Sequence, residues 1–273
     1  MDTKNLPVGV FDSGVGGLTV AKEIMKQLPK EKIIYFGDTA RVPYGNKSRE
    51  TVIAYSRQIV GFLLAKGVKA IVVACNTASA FALEAIAGDV PVPIIGVVKP
   101  GARTASKTTK NGRIGIIGTE GTINSGIYTE YLSELDPGIS VFGKACPLFV
   151  PLAEEGWLDD PITVDVIRRY ITPMLEKDID TLVLGCTHYP LLAESIRKVA
   201  GDNVNLVNPA LETALELARI LREKELLSDG SDAPHHRFYV SDGAEKFRSF
   251  ANSILPCEII ETRDVNVKVF GQP

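Results

Sequence analysis

The stretch Ala70–Ser79, AIVVACNTAS, and its later echo Thr181–Pro190, TLVLGCTHYP, decide how this chain is built. Each is a short apolar run, rich in β-branched residues, that ends in a single cysteine and passes at once into small hydroxylic or polar residues and a helical pattern. Such runs read as buried parallel strands, and open α/β sheets bind ligands in the crevice outside the carboxyl ends of those strands. Cys75 and Cys186 are therefore expected to face a pocket. Asn76, Thr77 and Ser79 are residue types that cap a helix start, which places the Cys75 thiol near unpaired N–H groups that favour a thiolate.

Working outward, β and α patterns alternate. Pro7–Phe11 reads as a first strand running into Asp12-Ser13-Gly14-Val15-Gly16-Gly17 and then a helical LTVAKEIMKQL. The loop lacks the Gly-Lys-Ser/Thr of a P-loop, and Thr19 stands where the dinucleotide fingerprint needs its third glycine, so it reads as a tight turn or a small-anion loop. Ile33–Phe36 is a second strand, ending at Gly37-Asp38-Thr39 before the turn-rich Pro43-Tyr44-Gly45-Asn46. An amphipathic helix follows, with Ser48 as N-cap and Gly67 as its stop. Strand three carries Cys75, and Val92–Val97 is a fourth strand. The order predicts a doubly wound parallel sheet.

Lys99–Arg113, KPGARTASKTTKNGR, is the most polar interval of the first half and reads as a linker. The pattern then restarts: Ile114–Gly121, IGIIGTEG, resembles Val8–Gly14, VGVFDSG, as a small-residue loop after an apolar strand. Two similar halves thus each place one cysteine after a corresponding strand. Later elements are helices near 162–175, 191–199, 209–224 and 245–254 and strands near 204–207 and 238–240. Ser228–His236 reads as a solvated loop, and His235-His236 is assigned no chemistry.

Composition narrows the class. Lys+Arg 30 against Asp+Glu 33 gives a net charge of −3, and no basic run interleaved with aromatics proposes a nucleic-acid surface. No apolar run approaches a membrane span, and the N-terminus shows no cationic and apolar leader, so a cytoplasmic protein is expected. Four cysteines without CxxC spacing, and three histidines, match neither a disulfide scaffold nor a zinc site.

Three chemistries fit two thiols delivered by two similar halves. A disulfide is one. A single thiol nucleophile is another, with His188 two residues from Cys186 as its partner. The third is a racemase that inverts a stereocentre without cofactor: one group removes a proton from one face of a carbon while an equivalent group donates to the other, which accounts for the symmetry. A non-catalytic amino-acid-binding module is a rival from outside enzymology.

The motifs Val10–Leu18 (VFDSGVGGL), Gly37–Thr39 (GDT), Pro43–Gly45 (PYG), Ala74–Ser79 (ACNTAS) and Leu184–Pro190 (LGCTHYP) resemble those of bacterial glutamate racemases in the aspartate/glutamate racemase superfamily. The resemblance spans nearly the whole chain, and the Asp-Ser-Gly-Val-Gly-Gly loop argues against the aspartate enzyme. It implies two pseudo-symmetric α/β lobes with the active site in the cleft between them, residues 1–98 with 208–273 forming one lobe and 99–207 the other. It also implies cofactor-independent interconversion of L- and D-glutamate for peptidoglycan synthesis, without metal or PLP, and a possible homodimer. By position, Cys75 would take the proton from D-glutamate and Cys186 from L-glutamate, with Asp12 and His188 assisting, one beside each thiol. Asp12, Ser13, Tyr44, Gly45, Asn76, Thr77, Thr187 and His188 would bind substrate, with Asp38 and Glu154 as supporting polar groups. Asn208 departs from the aspartate expected there.

Overall fold

The computed structural model describes residues 3–231, 233–259 and 261–270. Strands β1 (Val8–Asp12), β2 (Ile33–Gly37), β3 (Ala70–Val73) and β4 (Ile94–Gly96) alternate with helices α1 (Leu18–Gln27), α2 (Arg49–Ala65), α3 (Asn76–Phe81) and α4 (Leu83–Ala87). After α5 (Val98–Thr108) the alternation restarts with β5 (Arg113–Gly118), α6 (Glu120–Asn124), α7 (Ile127–Leu135) and β6 (Ser140–Ala145). Next come α8 (Phe149–Glu154), α9 (Pro161–Leu175), β7 (Thr181–Gly185), α10 (Ala193–Ala200) and β8 (Asn205–Val207). The chain continues through α11 (Pro209–Glu223), β9 (Arg237–Val240), α12 (Ala244–Ile254) and β10 (Thr262–Asp264).

The strands form two all-parallel sheets, in the orders β10-β9-β2-β1-β3-β4 and β6-β5-β7-β8. The first four strands of each half therefore share one topology, and β9 and β10 extend the first sheet beyond β2. Register makes the likeness useful. Phe11 pairs with Val73, so Asp12-Ser13 and Ala74-Cys75 leave the first sheet side by side. Gly118 pairs with Gly185, so Thr119 and Cys186 leave the second sheet in the same way.

Strand alternation explains why both faces of the first sheet are covered. Val8 and Val10 point into one apolar cluster with α1, α11 and α12, while Phe11 points into another with Ile59, Phe62 and Leu63 of α2. The second sheet is packed likewise, Leu182 and Leu184 against α9 and α10 and Val183 against α5 and α7. Burying each such side chain stabilises the fold by about 1.5–3 kcal/mol.

The interval read as a linker is mostly helix. Val98, Pro100, Gly101, Ala102 and Ala105 form the buried side of α5, and Lys99, Arg103 and Lys107 its exposed side. Its polarity is that of an amphipathic helix whose packed face is built from small residues. Strand β6 gave no sequence signal for the opposite reason: at the sheet edge, SVFGKA is half exposed and carries no continuous apolar run.

Candidate active site

Nine of the expected residues line one cavity between the two halves: Ser13, Tyr44, Gly45, Cys75, Asn76, Thr77, Cys186, Thr187 and His188. Its free space is about 20 Å³, room for roughly one water molecule. Glutamate is larger than that space.

Cys75 caps α3, is 5% exposed, and is not disulfide-bonded. Its Sγ accepts from the Ala78 N–H at 3.4 Å and donates to Ser13 Oγ at 3.7 Å. The expected thiolate-favouring surroundings do not win. Burial, followed by the charge of Asp12, outweighs the Ala78 N–H and pushes the Cys75 thiol up to about 12. Cys186, 6% exposed and also unbridged, meets an imidazole instead: its Sγ lies 3.8 Å from His188 Nδ1. His188 Nε2 is 3.0 Å from Glu154 Oε1. Burial disfavours the imidazolium, but the hydrogen bonds to Cys186 and Glu154 outweigh it and push His188 up to about 10. The same pairing lowers Glu154.

Asp12 lies behind the cavity rather than beside Cys75 alone. It is fully buried, with Oδ2 accepting from the Gly14 N–H at 2.9 Å and Oδ1 from the Thr187 hydroxyl at 3.3 Å. Burial raises its carboxyl, opposed by the charge of His188 and by N–H donors from Gly14 and Gly17. The Asp-Ser-Gly-Val-Gly-Gly loop is thus a seat for the second half. A Cβ at Gly16 would fall 2.4 Å from Thr187 Oγ1 and 2.5 Å from His188 Nδ1, so only glycine lets Thr187 and His188 approach. Thr19 adds a hydroxyl bond to the Thr187 carbonyl at 2.9 Å.

Asp38 does not reach the cavity. It holds the wall, accepting from Arg41 Nε, from the Ser241 hydroxyl at 2.8 Å and from the Tyr44 hydroxyl. Glu154 also stands outside, reaching the cavity only through His188, and lines an adjoining space of about 200 Å³ with Val42, Lys246 and Phe247. Thr119 is a lining residue that sequence reading passed over. Its hydroxyl is 2.8 Å from that of Thr77, and a Cβ at Gly45 would lie 2.7 Å from Thr119 Cβ. The signal was present in the internal repeat, because Gly118-Thr119 occupies in the second half the place of Asp12-Ser13 in the first.

Residues 9–217 match the model of the Asp/Glu/Hydantoin racemase family. The chain belongs to that family, among its glutamate racemases. It is an amino-acid racemase. It is 51% identical to the glutamate racemase of Geobacter metallireducens over 96% of this chain and 97% of that protein. It superposes on a glutamate racemase isoform from Bacillus anthracis with a TM-score of 0.93 at 44% identity, covering 97% and 99% of the two chains. The Francisella tularensis glutamate racemase, solved in complex with D-glutamate, gives 0.91 at 41% identity over 97% and 98%.

Proposed function

We propose that this chain interconverts L- and D-glutamate with Cys75 and Cys186 as the paired acid and base. The observation that carries the reading is that two buried, unbridged cysteines, from corresponding strand ends of two sheets of like topology, line one cavity. From L-glutamate, the Cys186 thiolate removes the α-proton. The C–H electron pair remains on the α-carbon, delocalised into the adjacent carboxyl group, and the Cys75 S–H delivers a proton to the opposite face. The product is D-glutamate, with Cys186 now a thiol and Cys75 a thiolate, and the reverse reaction exchanges the two roles. The chemistry calls for no cofactor. A thiol held up to about 12 suits Cys75 to the donor role in the free protein.

Ser13, Tyr44, Gly45, Asn76, Thr77 and Thr187 form the wall that takes the two carboxylates, with the Tyr44 and Thr187 hydroxyl protons on Asp38 and Asp12 before substrate enters. Asp12 and His188 tune the thiols, while Asp38 and Glu154 hold Tyr44 and His188 in place. The halves, proposed as residues 1–98 with 208–273 and residues 99–207, part to admit substrate. We assign the product to peptidoglycan synthesis, in the cytoplasm, and the working form to a homodimer.

Polarimetry on each pure enantiomer tests the reading, with deuterium uptake at the α-carbon as second readout. Glutamate should lose optical activity from either side and gain one deuterium. Racemisation of aspartate but not glutamate overturns the substrate, and an acyl-thioester trapped on Cys75 or Cys186 overturns the reaction.

A further inference from the structure

An asparagine amide has almost the same shape when flipped, so a binding role for Asn76 requires something that decides which end meets the ligand. Asn76 is 4% exposed and lines the cavity at the start of α3. Its Oδ1 accepts a 2.8 Å hydrogen bond from the hydroxyl of Tyr128, a 3% exposed residue of α7 on the second sheet. Among the described residues, the Asn76 Nδ2 group makes no hydrogen bond, and the Tyr128 hydroxyl makes only this one.

We propose that Tyr128 is a positioning residue, whose hydroxyl holds the Asn76 carbonyl and so turns the Asn76 NH2 group into the cavity as a donor to a substrate carboxylate. The phenol proton decides the direction. With the amide flipped, that buried proton would face an NH2 group and lose its acceptor, and the Asn76 oxygen would face an anion; both changes are unfavourable. The ring is held independently of the hydroxyl, packed in the apolar cluster of α5 and α7 with Ala102, Ile116 and Val183. Because Asn76 follows β3 and Tyr128 lies on α7, a donor of one half is set by the other. A carboxylate site of this kind is complete only when the halves are together.

The inference rests on the glutamate reading and is tested by KM and kcat for glutamate in both directions with Tyr128→Phe, Asn76→Ala and the double variant. Tyr128→Phe should raise KM about fivefold, the worth of one hydrogen bond, with kcat within about twofold. Asn76→Ala should raise KM at least as much, and the double variant should match Asn76→Ala, since a carbonyl that is absent needs no holding. Far-UV circular dichroism checks that each variant is folded. If Asn76→Ala leaves KM unchanged, the substrate role of Asn76 fails and the inference with it. If Asn76→Ala raises KM while Tyr128→Phe does not, or if the two effects multiply, the inference fails and the glutamate reading stands. Asn76→Asp supplies a second variant with the tyrosine intact: an oxygen remains for Tyr128 while an acceptor replaces the donor, so KM should rise more than in Asn76→Ala. An equal or smaller rise overturns the inference.

Discussion

Cys75 and Cys186 leave equivalent strand ends, β3 and β7, in two sheets of one topology, yet the chain surrounds them differently. Around Cys75 are a hydroxyl, one backbone N–H and the field of a buried carboxylate. Around Cys186 are an imidazole and, behind it, Glu154. A repeated backbone has delivered two like groups to one place, and the residues that follow have made them unlike: Asn76-Thr77 open a helix at once, whereas Thr187-His188 turn a ring toward the sulfur. Pseudo-symmetry sets position, and neighbours set proton affinity. In the free protein Cys75 is held as a thiol, while His188 carries its proton beside Cys186.

The largest effect should come from removing either thiol. Cys75→Ser and Cys186→Ser should each lower racemisation by at least about 10²–10⁴-fold, because a hydroxyl is a far weaker base. The damage should be handed. With a substrate analogue bearing a leaving group at the β-carbon, elimination needs only the first proton abstraction, so Cys75→Ser should still process the L-analogue and Cys186→Ser the D-analogue. Equal loss for both enantiomers in both variants would break the one-thiol-per-face comparison.

Next comes the contact that joins the two neighbourhoods. Gly16→Ala drives a methyl into Thr187 and His188, whereas Gly14→Ala meets Val42 Cγ2 at 3.3 Å, the end of a side chain that can shift. Turnover should fall about 10²-fold in Gly16→Ala, the cost of misplacing a group by about 1 Å, and much less in Gly14→Ala. Similar turnover in the two variants would show that His188 needs no fixed seat.

A smaller effect sharpens the electrostatic side. His188 has a folded pKa raised above its ordinary value, so its contribution to stability is full below about 6.5 and is lost as pH climbs through about 10. Glu154 is shifted the other way, and its contribution is present above the usual carboxylate range and lost as pH falls through its lowered value. Glu154→Gln should therefore lower the His188 midpoint and bring the alkaline loss of stability to lower pH. An NMR titration of the His188 ring reads the midpoint directly; no movement would mean that Cys186 and Asp12 alone hold the proton.

How much of this was legible follows the same division. Strand ends, turn glycines and the internal repeat are local patterns, so β1, β3, β5 and β7 and both cysteines could be read from the chain. The surroundings of each sulfur could not, because Asp12 meets Thr187 and His188 meets Glu154 across 175 and 34 residues. A helix start was visible after Cys75, but the burial that overrides its N–H groups is a property of the closed cavity. Thr119 was passed over for a different reason, although the internal repeat marks its place. It caps α6, an ordinary helix-start role, and only the approach of Gly45 and Thr77 makes it part of the wall.

The smallest effect concerns α11, which packs on both α1 and α5 and so touches both halves. Its N-cap is Asn208, where a racemase of this kind was expected to carry aspartate. Asn208 Oδ1 accepts from the Ala210 N–H at 3.0 Å, a bond that an aspartate oxygen makes equally well. Asn208→Asp should therefore change stability by no more than about 0.5 kcal/mol, while Asn208→Ala, which leaves that N–H without its partner, should cost about 1 kcal/mol and lower Tm by about 2–4 °C. The rates in the two directions give the sharper test. Asn208 lies beside Asn76, Cys186 and Thr187 but behind the cavity those three line, so the ratio of L-to-D over D-to-L turnover should be the same in both variants as in the parent. A shift of that ratio in Asn208→Asp alone would mean that a negative charge at this turn reaches the Cys186 side, and that the asymmetry between the thiols extends beyond their hydrogen-bond partners.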